Sequence, residues 1–86
     1  MAALFSENAQ VILTHLQANP DALETAPEIA EATGIDVKKV NGIVTMALQK
    51  RGFAYREEVE GKDRKVIILT EAGKTVDPKI EKPEAE

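Results

Sequence analysis

Apolar residues recur at Ala9, Ile12, Leu13 and Leu16, the spacing of one helical face, so the pattern predicts a first helix over 6–18. Ser6 supplies its cap and Glu7 an acid in its first turn. Asn19-Pro20-Asp21 breaks the period, and Ala22-Leu23-Glu24 reads as a short extended piece. A second start follows at Thr25-Ala26-Pro27-Glu28, where the proline suits a first helical turn because its missing N–H is not needed there. The second helix is short, over 27–33, carries Ile29, Ala30 and Thr33, and closes at Gly34, a residue at ease in the left-handed conformation that ends helices. Asp36 then caps a third helix over 37–50. Val37, Val40, Ile43, Val44, Ala47 and Leu48 form its apolar stripe, with Lys38, Asn41, Gly42, Thr45 and Gln49 on the other side. Lys50 and Arg51 suit the negative end of its dipole, and Gly52 stops it.

From Phe53 the period changes to two. Phe53, Tyr55, Glu57 and Val59 alternate with Ala54, Arg56, Glu58 and Glu60, and a second run over 65–70 is rich in β-branched residues. The polar Gly61-Lys62-Asp63-Arg64 between them is short enough to pair the two runs as an antiparallel hairpin. Thr70 to Lys74 can start one more helical turn. Residues 77–86 are charged, contain two prolines and show no apolar period, so they are read as a disordered tail to a domain over 1–76. The expected fold is α+β: three helices, with a C-terminal antiparallel β-hairpin.

With 86 residues, 43% hydrophobic and 30% charged, one compact core is available and an unfolded chain is excluded. There is no Cys and no Trp, one Tyr and two Phe, so the core must be mainly aliphatic and has neither disulfide nor thiolate metal site to staple it. No apolar run reaches the roughly 18 residues that span a bilayer, and Met1 to Glu7 lacks the basic and apolar regions of a secretory signal. A cytoplasmic or nuclear location is expected, without membrane contact.

The net charge of −4 changes meaning once it is divided. Residues 1–37 carry six acids and no Lys or Arg, residues 38–74 carry nine bases against five acids, and residues 75–86 carry four acids against two bases. The third helix and the hairpin are therefore the basic part of an acidic chain.

Residues 26–43 have the arrangement of a helix-turn-helix: small Ala30 for close approach, Gly34 for the turn, and Ile29, Ile35, Val37, Val40 and Ile43 between the helices. Leu48 to Arg56 and the Leu69-Thr70-x-x-Gly73 that follows extend the likeness. Over about residues 6–74 the chain resembles the winged helix-turn-helix core of MarR-type transcriptional regulators. That resemblance implies a DNA-binding protein with helix 37–50 in the major groove and a wing, residues 61–65, on the backbone or in the minor groove. The groove residues would be Lys38, Lys39, Asn41, Gly42, Thr45 and Gln49. Lys62, Arg64 and Lys65 would be the wing contacts. Gly42 removes bulk where a backbone could come close, at a cost of up to about 1 kcal/mol of helix stability. The wing departs from those regulators in having Asp63 and Arg64 adjacent and close to Leu69-Thr70, hence shorter. They dimerise through long terminal helices, so a ligand-sensing dimer of that kind is not expected of this chain.

The rival reading is a protein-docking module of a larger transcription or replication assembly, engaged through the acidic residues of 1–37 and the apolar Ala2-Ala3-Leu4-Phe5. Glu57, Glu58 and Glu60, which would repel phosphate, speak for it. A single module buries only about 600–1,000 Å² on DNA, so specificity would call for a homodimer or a protein partner. His15 has no second His or evident acid–base partner in the sequence and reads as a surface or boundary residue. Glu28 and Glu31 read as a solvated face. Neither enzymatic activity nor a cofactor, metal or small-molecule substrate is expected.

Overall fold

A computed structural model describes residues 4–80. Its elements are α1 (Glu7–Ala18), β1 (Glu24–Thr25), α2 (Ala26–Thr33), α3 (Val37–Ile43) running on into a π-helical segment (Val44–Gln49), β2 (Ala54–Glu57), β3 (Val66–Leu69) and α4 (Glu71–Thr75). This is the α+β winged helix-turn-helix expected, with one element more than the hairpin. β1 joins the far edge of β3, pairing Glu24 with Ile67 and Thr25 with Val66, so the sheet has three antiparallel strands in the order β1-β3-β2. On the other edge β3 pairs with β2, Ala54 opposite Leu69 and Arg56 opposite Ile67.

The caps read from the sequence form. The Ser6 side chain accepts from the Ala9 N–H at 3.2 Å and the Asp36 carboxylate from the Lys38 N–H at 3.1 Å. Gly34 closes α2 with φ +76°, a conformation that leaves a β-carbon crowded, and so turns the chain from α2 into α3. Around that turn Ile29 and Val40 are fully buried, with Ile35, Val37 and Ile43 packed against them. Ile12, Leu13 and Leu16 of α1 meet Val44 and Leu48 from α3 and its continuation, and Ile67 and Leu69 from β3 close the core.

Two of the three aromatic residues act away from the strand pattern. The alternation from Phe53 onward places Ala54, not Tyr55, on the buried side of β2, while the Phe53 ring lies 5.6 Å from that of Phe5. Phe5 is 1% exposed, and Leu4 packs on the core beside it. The described part of the apolar N-terminal stretch is therefore committed to the fold rather than presented to a partner, which corrects the expectation for Leu4-Phe5.

The Leu69-Thr70-x-x-Gly73 run closes the fold by hydrogen bonds. Thr70 N–H donates to the Phe53 carbonyl at 3.0 Å, Thr70 Oγ1–H to the Gly52 carbonyl at 2.7 Å, and the Gly73 N–H returns to Thr70 Oγ1 at 3.1 Å. Gln17 of α1 donates to the Gly73 and Val76 carbonyls at 2.9 and 2.7 Å, taking up the exposed C-terminal end of α4. Beyond it Asp77 accepts the Lys79 and Ile80 N–H groups in a turn, and the Leu4 N–H donates to the Ile80 carbonyl at 2.9 Å. The disorder expected over 77–86 falls, for 81–86, outside the described residues.

Candidate nucleic-acid interface

The outward side of α3 is set by what its inward side buries. Val40, Val44 and Leu48 are each fully enclosed, so the helix cannot rotate about its axis without exposing them. Lys38, Lys39, Gly42, Thr45 and Gln49 are left exposed, with Asn41 half-buried at one edge and Met46, 59% exposed, among them. A β-carbon on Gly42 would meet nothing within 4 Å. Internal packing therefore does not require glycine in mid-helix, where it costs up to about 1 kcal/mol relative to alanine.

Past Ile43 the helix widens, and the Lys50 N–H donates to the Thr45 carbonyl five residues back, at 3.1 Å. π turns of this kind are frequent at functional sites. Arg56, reaching across from β2, lies along the same turns. Its Nη1 donates to Asn41 Oδ1 at 3.2 Å, its Nη2 to the Asn41 carbonyl at 3.3 Å and to Thr45 Oγ1 at 3.1 Å, and its Nε to Gln49 Oε1 at 3.3 Å. Arg56 thus belongs to the site although the sequence reading treated it only as a strand residue. The signal was parity: Arg56 shares a strand face with buried Ala54, so its guanidinium had to find acceptors on the helix beneath.

The wing residues divide. Lys62 is drawn back to the start of α2, its Nζ 2.8 and 2.9 Å from the two Glu28 carboxylate oxygens. That ammonium, together with the Thr25 N–H donating to Glu28 Oε1 at 2.8 Å, holds the Glu28 carboxyl below the usual glutamate range. Lys62 is thus balanced locally, and Glu28 is a helix cap and ion-pair partner rather than a merely solvated acid. Arg64 and Lys65 remain exposed and join Arg56 and Asn41 around a cleft of about 160 Å³ floored by Ala26 and Pro27. Three cations and no acid line that cleft. Glu57 and Glu58 stay exposed on the wing.

His15 does have an acidic partner, contrary to the sequence reading. Its Nε2 is 2.8 Å from Glu24 Oε1, a contact that ties α1 to β1 well away from α3. Among the described residues no three His, Asp or Glu side chains gather where they could hold a metal ion, and no helix is long and apolar enough to cross a membrane.

No protein-family model matches the chain, and no curated protein sequence does. Two solved structures are similar in fold. One is MepR, a transcription regulator of the Staphylococcus aureus multidrug efflux pump MepA, with 26% identity and a TM-score of 0.71 over 81% of this chain and 50% of that one. The other is a mutant of MepR from a multidrug-resistant S. aureus clinical isolate, with 25% identity and a TM-score of 0.72 over 80% of this chain and 49% of that one. The chain spans about half the length of the proteins it matches. In its elements, their order and this likeness, the chain has a winged helix-turn-helix fold resembling the core of the MarR-type regulator MepR.

Proposed function

We propose that the chain is a DNA-binding protein, a small transcriptional regulator that lays α3 and its continuation in the major groove of double-stranded DNA. The observation that carries this reading is the exposed stripe of Lys38, Lys39, Gly42, Thr45 and Gln49, polar or bare apart from the exposed Met46 among them and held outward by the buried Val40, Val44 and Leu48. The cationic cleft of Arg56, Arg64 and Lys65 beside it suits a backbone phosphate. The likeness to MepR, a transcription regulator, supports the same assignment. Lys62, engaged by Glu28, contributes less to the wing contact than Arg64 and Lys65 do. The protein works by binding rather than by catalysis, where chromosomal DNA is found, in cytoplasm or nucleus. A second copy or a protein partner extends its few base pairs to a useful site. The docking-module alternative loses support from Phe5, which lies inside the core.

Gly42→Ala tests the groove placement. In the free protein the substitution meets no neighbour and removes a flexible residue from a helix, so it stabilises by about 0.5–1 kcal/mol in a thermal or urea melt. If DNA approaches at Gly42, the same methyl group weakens duplex affinity measured by fluorescence anisotropy. A variant that melts higher and binds as well as the native chain excludes close approach at Gly42.

A further inference from the structure

The guanidinium of Arg56 spans three side chains spaced four residues apart, Asn41, Thr45 and Gln49, that the duplex-binding reading places on the DNA. We propose that Arg56 fixes the hydrogen-bond polarity of this face, so that it presents donors to the groove and favours guanine over adenine. The inference rests on that reading.

Guanidinium carries five N–H donors and no acceptor, and four of the five are used here, one of them on the Asn41 backbone carbonyl. Whatever faces Arg56 must therefore be oxygen. The Asn41 and Gln49 amides are held with Oδ1 and Oε1 toward the arginine, and their NH₂ groups are left to face away. Thr45 Oγ1 accepts from Nη2 in the same manner, which leaves its O–H to donate elsewhere. With Lys38 and Lys39 alongside, the face offers donors at each of these positions.

In the major groove guanine presents two acceptors, N7 and O6, whereas adenine presents one acceptor and the N6 amino donor. Asn and Gln read adenine by donating to N7 while accepting from N6–H through the amide oxygen. Here each amide oxygen already accepts from a cation. One lone pair remains, but an adenine amino group using it would bring its positive hydrogens beside the guanidinium. Guanine and phosphate oxygens meet no such opposition. Arg56 is in this sense a positioning residue for specificity, acting through the side chains it orients.

The test is selection of duplexes from a randomised pool at low salt by the native chain, Arg56→Lys and Arg56→Met, with amide and Arg Nε–H spectra of the free proteins recorded alongside. The native chain is expected to enrich guanine at the positions under α3. In Arg56→Met the adenine-to-guanine ratio at one or two of those positions rises about tenfold, and the Asn41 and Gln49 side-chain amide signals move. Arg56→Lys keeps the charge, so it loses less affinity and less salt dependence than Arg56→Met, but one ammonium cannot hold all three oxygens and the guanine preference falls part of the way. If Arg56→Met loses affinity evenly across sequences with its base profile unchanged, Arg56 is a phosphate contact only and the inference fails. A native chain that retains duplex without any base preference refutes this inference alone, whereas one that retains no duplex at low salt refutes the DNA-binding reading as well.

Discussion

Replacing Gly73 by alanine is expected to cost more than about 3 kcal/mol, a large part of the roughly 5–15 kcal/mol that holds a domain together. The added β-carbon would lie 1.9 Å from the Phe53 carbonyl oxygen and 2.9 Å from its carbon, with a Leu69 methyl at 3.2 Å. The carbonyl cannot step aside cheaply. It accepts from the Thr70 N–H that starts α4, the Phe53 N–H is bound to the Leu48 carbonyl at 2.8 Å, and the Phe53 ring is set against Phe5. Relief would mean lifting α4 from the sheet, which breaks the Thr70 cap and the two Gln17 hydrogen bonds together. Urea unfolding with Gly42→Ala as a control on mere glycine replacement reads the effect. A Gly73→Ala protein as stable as the native one would mean that α4 does not pack against Phe53 as described.

The second large effect is on binding. Lys38→Glu combined with Lys39→Glu is expected to reduce duplex affinity on the order of a hundredfold at low salt and to flatten its salt dependence, because two counterion-releasing contacts become two repulsions. Stability should hardly move. Both side chains are exposed and without internal partners among the described contacts, and acids in the first turn of a helix suit its dipole. That separation makes the result readable: a melt within about 0.5 kcal/mol of native shows that lost affinity comes from the face and not from the fold. Unchanged duplex affinity would remove α3 from the DNA.

The helical framework could be read from the sequence because its information is local. Apolar spacing marked α1, α2 and α3, and Ser6, Thr25, Gly34 and Asp36 each sit next to an observed helix end, with Gly52 following shortly after Gln49. What escaped depends on contacts between distant segments. The extended piece at 22–24 gave no sign of its sheet partner: β1 has only two residues, too few for a period of two to show, and it pairs because β3 offers a free edge beside it. The pairing of Lys62 with Glu28 joins residues 34 apart, and that of His15 with Glu24 joins two elements across a turn. Neither type of residue announces its partner. The exposed face of α3 was legible from helical geometry alone, whereas its wiring by Arg56 was not: strand parity could point the arginine inward, but only the packing of β2 on the π-helical turns brings Asn41, Thr45 and Gln49 within its reach. The departure from regular helix geometry over Val44–Gln49 likewise has no mark in the sequence that would distinguish it from a continuing α-helix.

Binding of duplex DNA through α3 and the wing is tested most directly by titrating the isotope-labelled protein with a mixed-sequence duplex and following backbone amide shifts at low and near-physiological salt. Shifts concentrated at residues 37–50, at Arg56 and at 61–65, fading as salt rises, are the expected result. No shifts at low salt, or shifts gathered on α1 around Val11 and Thr14 instead, would contradict it.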